Sequence, residues 1–160
     1  MESKARLLGH PIHQMLVVFP LGLLGGSIAF DLLGHALDNT TMHLVAYYLI
    51  LGGLIAGVVA APFGTIDWLA IPSGTRAKSV GALHAGGNVL VLALFAASAW
   101  LRRDDPTAPS AMAETLSFGG VALSLVTAWL GGELVDRLGV GVSDGANLNA
   151  PSSLRQHDAR

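Results

Sequence analysis

Residues 79–101 read SVGALHAGGNVLVLALFAASAWL, and this stretch contains no Asp, Glu, Lys or Arg. Residues 14–33, 42–62 and 112–132 are mostly apolar runs of similar length. An α-helix of about 20 residues crosses a hydrocarbon core of ~30 Å, and lipid demands a helix because unpaired backbone groups are too costly there. The sequence therefore predicts an all-α fold, an integral membrane four-helix bundle.

The composition also indicates lipid as the solvent. Charged residues make up 12% of the chain and apolar residues 52%, whereas a water-soluble domain has about 25% charged residues. The mean hydropathy is +0.57. A net charge of −2 gives no reason to expect a nucleic-acid partner. The absence of cysteine excludes disulfides, thiolate metal sites and cysteine nucleophiles.

The distribution of basic residues predicts the orientation of the bundle. With four spans, both termini and the middle loop share one side, and that side carries Lys4, Arg6, Arg76, Lys78, Arg137, Arg155 and Arg160. The other side carries Arg102 and Arg103, with Asp104 and Asp105 beside them. Basic residues favour the cytoplasmic side. We therefore expect both termini in the cytoplasm, with residues 1–142 as a transmembrane domain in a bacterial inner membrane and residues 143–160 as a flexible cytoplasmic tail.

Polar residues near the predicted cytoplasmic leaflet are the main candidates for a functional site, because an ionisable group in a membrane span needs a compensating use. His10 and His13 open the first span, with Pro11 in its first turn. His84 and Asn88 lie one turn apart in the third span. Asp67 follows the predicted end of the second span, and Glu133 follows the fourth. Each residue also has a structural explanation, such as a hydrated imidazole, a helix cap or an ion pair with Arg137.

A second polar group is expected at the opposite leaflet, where Asp31, His35 and His43 come together with Asp38 and Glu114. Asp31 and His35 are four residues apart and could bond directly. We interpret this group as a structural pair. The two halves of the chain show no convincing internal repeat.

The stretch from Gly9 to Gly22, GHPIHQMLVVFPLG, resembles the opening of a bacterial membrane family known as domain of unknown function 2231. Phe30-Asp31, residues 64–67 (GTID), His84 with Asn88, residues 131–135 (GGELV) and residues 139–142 (GVGV) are similar to it too. The resemblance runs from about residue 7 to residue 143. It implies a four-helix membrane domain whose relatives include fusions to Rieske-type iron–sulfur domains, and it implies no established activity.

Three functional hypotheses follow, and whether the protein is an enzyme stays open. The first is a membrane electron-transfer protein that binds a b-type haem through His84 and His13 or His10, with Asn88 beside them; imidazoles from different helices can serve as the axial ligands. Glycines 81, 86 and 87 would make room for the macrocycle, and a quinone or an iron–sulfur protein would be the redox partner.

The second hypothesis is a zinc, iron or manganese site formed by His10, His13, His84, Asp67 and Glu133. The third is an accessory membrane subunit without a cofactor. The sequence leaves homo-oligomer formation open.

Overall fold

The computed structural model describes residues 1–154 and is helical apart from a short N-terminal hairpin, in which β1 (Arg6–Leu7) pairs with β2 (His10–Pro11). The helices are α1 (Ile12–Leu16), α2 (Val18–Leu37), α3 (Thr40–Ala70), α4 (Arg76–Arg102) and α5 (Ala111–Gly132), which continues into a π-helical turn at Glu133–Arg137. Four helical units, with α1 and α2 counted as one, are long and apolar enough to cross a membrane. The predicted all-α four-helix membrane bundle is confirmed.

The helices extend beyond the apolar runs because polar side chains cap their first turns. The Asn39 side chain accepts a hydrogen bond from the backbone of Thr41 at the start of α3. Thr75 and Ser110 accept the equivalent bonds at the starts of α4 and α5. Such caps satisfy N–H groups that have no partner inside the helix. At its other end α3 continues to Ala70, so Asp67 lies inside this helix rather than in the loop after it.

The first span is interrupted at Val17, between α1 and α2. Pro20 has no N–H to donate to the carbonyl of Leu16, so the regular bonding pattern fails at this point. The chain then resumes with a bond from the N–H of Leu21 to the carbonyl of Val17. The first span is therefore kinked by a proline in its first turns.

The bundle consists of two helical hairpins, α2 with α3 and α4 with α5, which are the two most extensive helix pairings. Leu24, Ile50, Val91, Phe95 and Ala99 form the buried core between them. Large apolar side chains such as Ile55, Leu83 and Leu125 point outwards and are more than half exposed. In a membrane this outer face contacts the acyl chains of the lipids, which are as apolar as these side chains.

The two hairpins are repeats of one another, which corrects the expectation that the chain has no internal repeat. In α2 the residues Leu24, Ser27, Ile28 and Asp31 are buried, and so are the residues 71 positions later in α4, Phe95, Ser98, Ala99 and Arg102. In α3 the buried residues Ala46, Ile50, Gly53 and Ala60 correspond, 67 positions later in α5, to the buried residues Ala113, Ser117, Gly120 and Thr127.

The contacts inside the hairpins repeat as well. Leu24 packs so closely on Gly53 that a Cβ there would lie 2.5 Å from Leu24 Cδ2. The equivalent Phe95 packs on Gly120, where a Cβ would lie 2.8 Å from Phe95 Cε2. Equivalent residues also meet each other between the hairpins, since Asp31 bonds with Arg102. Contact between equivalent residues is what an approximate twofold axis produces, so we infer that such an axis runs along the bundle.

The two ends of the bundle consist of different parts of the chain. The terminus side holds residues 1–13, 64–78 and 131–143, and the loop side holds residues 31–43 and 102–114. On the terminus side the Met1 ammonium donates to the carbonyl of Gly139 over 2.8 Å. Residues 143–154 form turns, and Ser143 and Ser153 in this segment bond with the N-terminal segment. Arg155 and Arg160, used above to predict orientation, lie outside the described residues.

Candidate functional site

Two histidines face one another on the terminus side. The ring centroids of His13, in α1, and His84, in α4, are 6.5 Å apart, and the ring planes are perpendicular at 88°. His13 Nδ1 lies 3.0 Å from the carbonyl oxygen of Ala60 in α3. His84 Nδ1 lies 2.9 Å from the carbonyl oxygen of Thr127 in α5. Both imidazoles are therefore held by a backbone carbonyl of the neighbouring helix in the same hairpin.

The environments of the two histidines are equivalent under the internal repeat. His13 and His84 are 71 positions apart, and their carbonyl partners are 67 positions apart. Each ring lies against a glycine one turn after its carbonyl partner: a Cβ would lie 2.7 Å from His13 Cε1 at Gly64 and 3.1 Å from His84 Cε1 at Gly131. The two glycines leave space for the rings, because a side chain at either position would collide with an imidazole. The histidine pair thus lies on the inferred twofold axis.

The hydrogen bonds determine which nitrogen of each ring carries the proton. A carbonyl oxygen only accepts, so the proton of each neutral imidazole lies on Nδ1 and the lone pair lies on Nε2. The Nδ2 of Asn88 lies 3.3 Å from His84 Nε2 and donates to the His84 carbonyl oxygen over 2.8 Å. Thr127 Oγ1 donates to Asn88 Oδ1 over 3.0 Å. An imidazole that donates through Nδ1 binds a metal through its Nε2 lone pair, and at His84 this lone pair faces the Asn88 amide.

The other residues of the predicted site have different partners. His10 is exposed on the surface, and its Nε2 lies 3.3 Å from Ser153 Oγ. Asp67 is buried and accepts hydrogen bonds from Ser3 Oγ and from the backbone of Lys4 and Ala5. It therefore anchors the N-terminal segment to α3.

Glu133 likewise has a partner of its own. Arg76 Nη2 donates to Glu133 Oε1 over 2.6 Å. This ion pair joins the start of α4 to the π-helical turn after α5. Of the residues proposed above for a metal or cofactor site, the structure places His13 beside His84, with ring centroids 6.5 Å apart, and Asn88 in hydrogen-bond contact with His84.

Sequence reasoning missed the ion pair in the centre of the loop side. Asp31 and Arg102 are both fully buried, and two parallel bonds of 2.8 and 2.7 Å join the guanidinium to the carboxylate. Ser98 and Ser117 accept further bonds from Arg102. Arg102 follows the last apolar residue of the third run, so the apolar run alone does not include it in the span. No local pattern joins Asp31 to a residue 71 positions later, so the pair becomes visible only in the packed bundle.

His35 does not form the expected bond with Asp31. Its Nε2 lies 2.7 Å from Glu114 Oε1, while His43 occupies the position beside Asp31, with its Nδ1 3.1 Å from Asp31 Oδ1. Within residues 1–154, His35, His43 and Glu114 form the one group of three or more histidines and carboxylates arranged to hold a metal ion.

Comparison with known proteins agrees with this architecture. A family model described as "Predicted membrane protein (DUF2231)" matches residues 9–144. The chain belongs to the DUF2231 family. The match confirms the resemblance seen in the sequence, and it includes both His13 and His84 as well as the buried Asp31–Arg102 pair. No curated protein and no solved structure matches the chain. DUF2231 membership establishes a membrane protein and assigns no activity to it.

Proposed function

We propose that this protein is a membrane electron-transfer protein in which His13 and His84 are the axial ligands of a b-type haem. The observation that carries the proposal is the pair of neighbouring imidazoles, both fixed through Nδ1, which leaves the Nε2 lone pair of each ring as the metal-binding atom. At His84 this lone pair lies 3.3 Å from Asn88 Nδ2, and a metal would take the place of that contact. A hydrogen bond from the second ring nitrogen to a carbonyl or carboxylate is the usual support of a metal-binding histidine, because it fixes the tautomer and the ring orientation.

The separation of the rings suits one metal centre between them. Metal–nitrogen bonds of about 2.0–2.1 Å on each side would put two imidazole centroids about 6 Å apart. The observed separation is 6.5 Å. The histidines come from different hairpins, so a shared metal would also join the two repeats at the terminus side.

The number of protein ligands favours haem over a bare ion. The iron of an electron-transfer haem can be held by two axial ligands from the protein, whereas a zinc site needs three or four. In the described part of the chain, the histidine pair has no third histidine or carboxylate within ligand distance. Asp67 and Glu133, the carboxylates expected there, are bonded to the N-terminal segment and to Arg76. Haem iron supplies one-electron chemistry, and its imidazole ligands and burial set the reduction potential.

A bare zinc, iron or manganese ion is the second candidate, and the packing of the glycines favours it. Of the three glycines expected to make room for a macrocycle, Gly81 lies against Trp68 and Gly87 against Thr127. A Cβ at Gly86 meets nothing within 4 Å. His13 and His84 would then share the ion with water.

We also propose where the protein lies and with which molecules it exchanges electrons. The basic residues of the terminus side favour the cytoplasmic leaflet of a bacterial inner membrane. An electron carrier at that depth would exchange electrons with a membrane quinone or with an iron–sulfur protein, the partner that the fusions among similar proteins suggest.

A visible spectrum of protein purified in mild detergent, from cells supplied with a haem precursor, tests the proposal. We expect a Soret band that sharpens and shifts when dithionite reduces the iron. His84→Ala and His13→Ala should lose the band, whereas His10→Ala, which removes an exposed histidine of the same side, should keep it. His84→Met should keep haem and raise its potential, because a thioether ligand favours the reduced iron.

Each alternative has its own signature in the same preparation. Colourless protein that carries stoichiometric zinc, iron or manganese, lost on His84→Ala, would reject haem in favour of the bare ion. Folded, colourless and metal-free protein would overturn both and leave an accessory subunit whose histidines only join helices.

A further inference from the structure

We propose a zinc-binding site on the loop side, formed by His35, His43 and Glu114. These residues come from the last turn of α2, the first turn of α3 and the first turn of α5. One nitrogen of each histidine and one oxygen of Glu114 lie within 4.8 Å of one another. The site is separate from the histidine pair of the terminus side, and it does not depend on that pair.

The distances match what a small cation requires. His35 Nε2 lies 2.7 Å from Glu114 Oε1. His43 lies beside the same oxygen: its Nδ1, which bonds to Asp31, is 4.0 Å away, and the metal would take the other nitrogen of this ring, Nε2. The centroids of the two rings are 4.7 Å apart. Zinc bonds of about 2.0–2.2 Å in a tetrahedron hold neighbouring ligand atoms roughly 3–3.5 Å apart. Small rotations of exposed His35 and of Glu114 would reach this spacing without moving a helix.

The buried ion pair gives the site its support. Arg102 donates a hydrogen bond to Asp31, and Asp31 accepts a second one from His43 Nδ1. The lone pair of His43 therefore lies on Nε2, the nitrogen available to a metal. Carboxylate, histidine and metal in sequence is the usual arrangement at zinc sites, and the carboxylate raises the basicity of the ligand. The ring itself is fixed against Gly34, where a Cβ would lie 2.6 Å from His43 Nε2.

The donor set and its exposure indicate which metal binds and how it enters. Two imidazoles and one carboxylate are ligands that zinc accepts, and with three protein ligands the fourth position stays open to water. The side chain of His35 is 58% exposed, whereas those of Glu114 and His43 are 16% and 8% exposed. An ion can thus enter from the solvent side, where His35 lies, and reach the largely buried Glu114 and His43.

Equilibrium dialysis against Zn²⁺, followed by elemental analysis, tests the site with detergent-purified protein whose affinity tag has been removed. Wild-type protein should bind one more zinc per chain than Glu114→Gln or His35→Gln. Each of these variants should weaken binding at this site at least tenfold, because even supporting residues change metal affinity by about 10–100-fold. Both substitutions lie at the edge of the bundle and keep polar side chains, so the fold should survive.

Two matched variants separate this site from other binding. Glu133→Gln removes a glutamate paired with Arg76 on the terminus side, and His10→Gln removes an exposed histidine there; both should bind zinc as wild type does. His84→Ala should also keep this zinc, even where it abolishes a cofactor at the terminus side. Equal zinc binding by wild type, Glu114→Gln and His35→Gln would overturn the proposal, and so would wild-type protein that binds no zinc.

Discussion

The buried pair of Asp31 and Arg102 gives the sharpest test of how this bundle is held together. Both side chains are fully buried, and the carboxylate accepts two bonds from the guanidinium and one from His43. Asp31→Asn keeps the shape of the side chain but removes its charge. The guanidinium of Arg102 then remains buried without a counter-charge, and the new amide places an N–H group against donors.

The expected cost of breaking the pair is large. Removing one partner of a buried ion pair destabilises a protein by about 3–5 kcal/mol, because the remaining charge has lost its water and its counter-charge. Asp31→Asn and Arg102→Met should each fall in this range. The combination of Asp31→Leu with Arg102→Met should cost less than either single change, because no charge remains buried. Ser98 and Ser117 retain backbone carbonyl acceptors in that variant.

Equilibrium unfolding in detergent micelles, followed by circular dichroism, measures these differences. Asp104→Asn is the control, since its carboxylate is 88% exposed and lies 3.4 Å from Arg103 on the same side; its stability should equal that of wild type. Any haem spectrum should persist in Asp31→Asn, because the histidine pair lies at the other end of the bundle. Wild-type stability in Arg102→Met, or a double variant as costly as the sum of the single variants, would refute the reasoning.

Three further predictions concern the termini and the orientation. Asp67→Asn should release the N-terminal segment, which hydrogen exchange would report as lost protection of residues 3–5; unchanged protection would contradict the anchoring role. The bond from Ser143 and the nearby Arg6 charge hold the pKa of Glu2 below its ordinary value of 4.5. The contact between Glu2 and Ser143 should therefore be complete above pH 4.5 and be lost as the pH falls through the lowered pKa of Glu2. Proteolysis of the C-terminal segment should accordingly increase at low pH in the wild-type protein, and Glu2→Gln should remove this pH dependence. A pH dependence that persists in the variant would exclude Glu2. Alkaline phosphatase fused after Leu154 should be inactive and fused near Pro106 active, and the reverse pattern would invert the predicted orientation.

Much of the fold could be predicted because its signals are local. The solvent, the number of spans and their helical state follow from runs of apolar residues, since lipid leaves the backbone no alternative to its own hydrogen bonds. The break before Pro20 follows from a missing N–H group. The helix ends were less predictable, because caps such as Asn39 and Thr75 add turns that the apolar runs do not include.

The candidate site was predicted in part. His13, His84 and Asn88 were identified from their depth in the spans, and the structure places His13 beside His84 and Asn88 against His84. Asp67 and Glu133 were grouped with them by depth as well, yet each has another partner. Depth along a span specifies the level of a side chain in the membrane, but the direction in which it points depends on how the helix is rotated.

The sequence by itself thus determined a four-helix membrane protein of the DUF2231 family. Only the tertiary structure decided that His13 meets His84, that Asp31 meets Arg102, and that the two hairpins repeat. The physical reason is that lipid and the bundle interior are equally apolar, so the hydrophobic pattern of a span does not reveal which face packs inwards. The two hairpins resemble each other mainly in which positions are buried, and burial becomes visible only once the helices are packed.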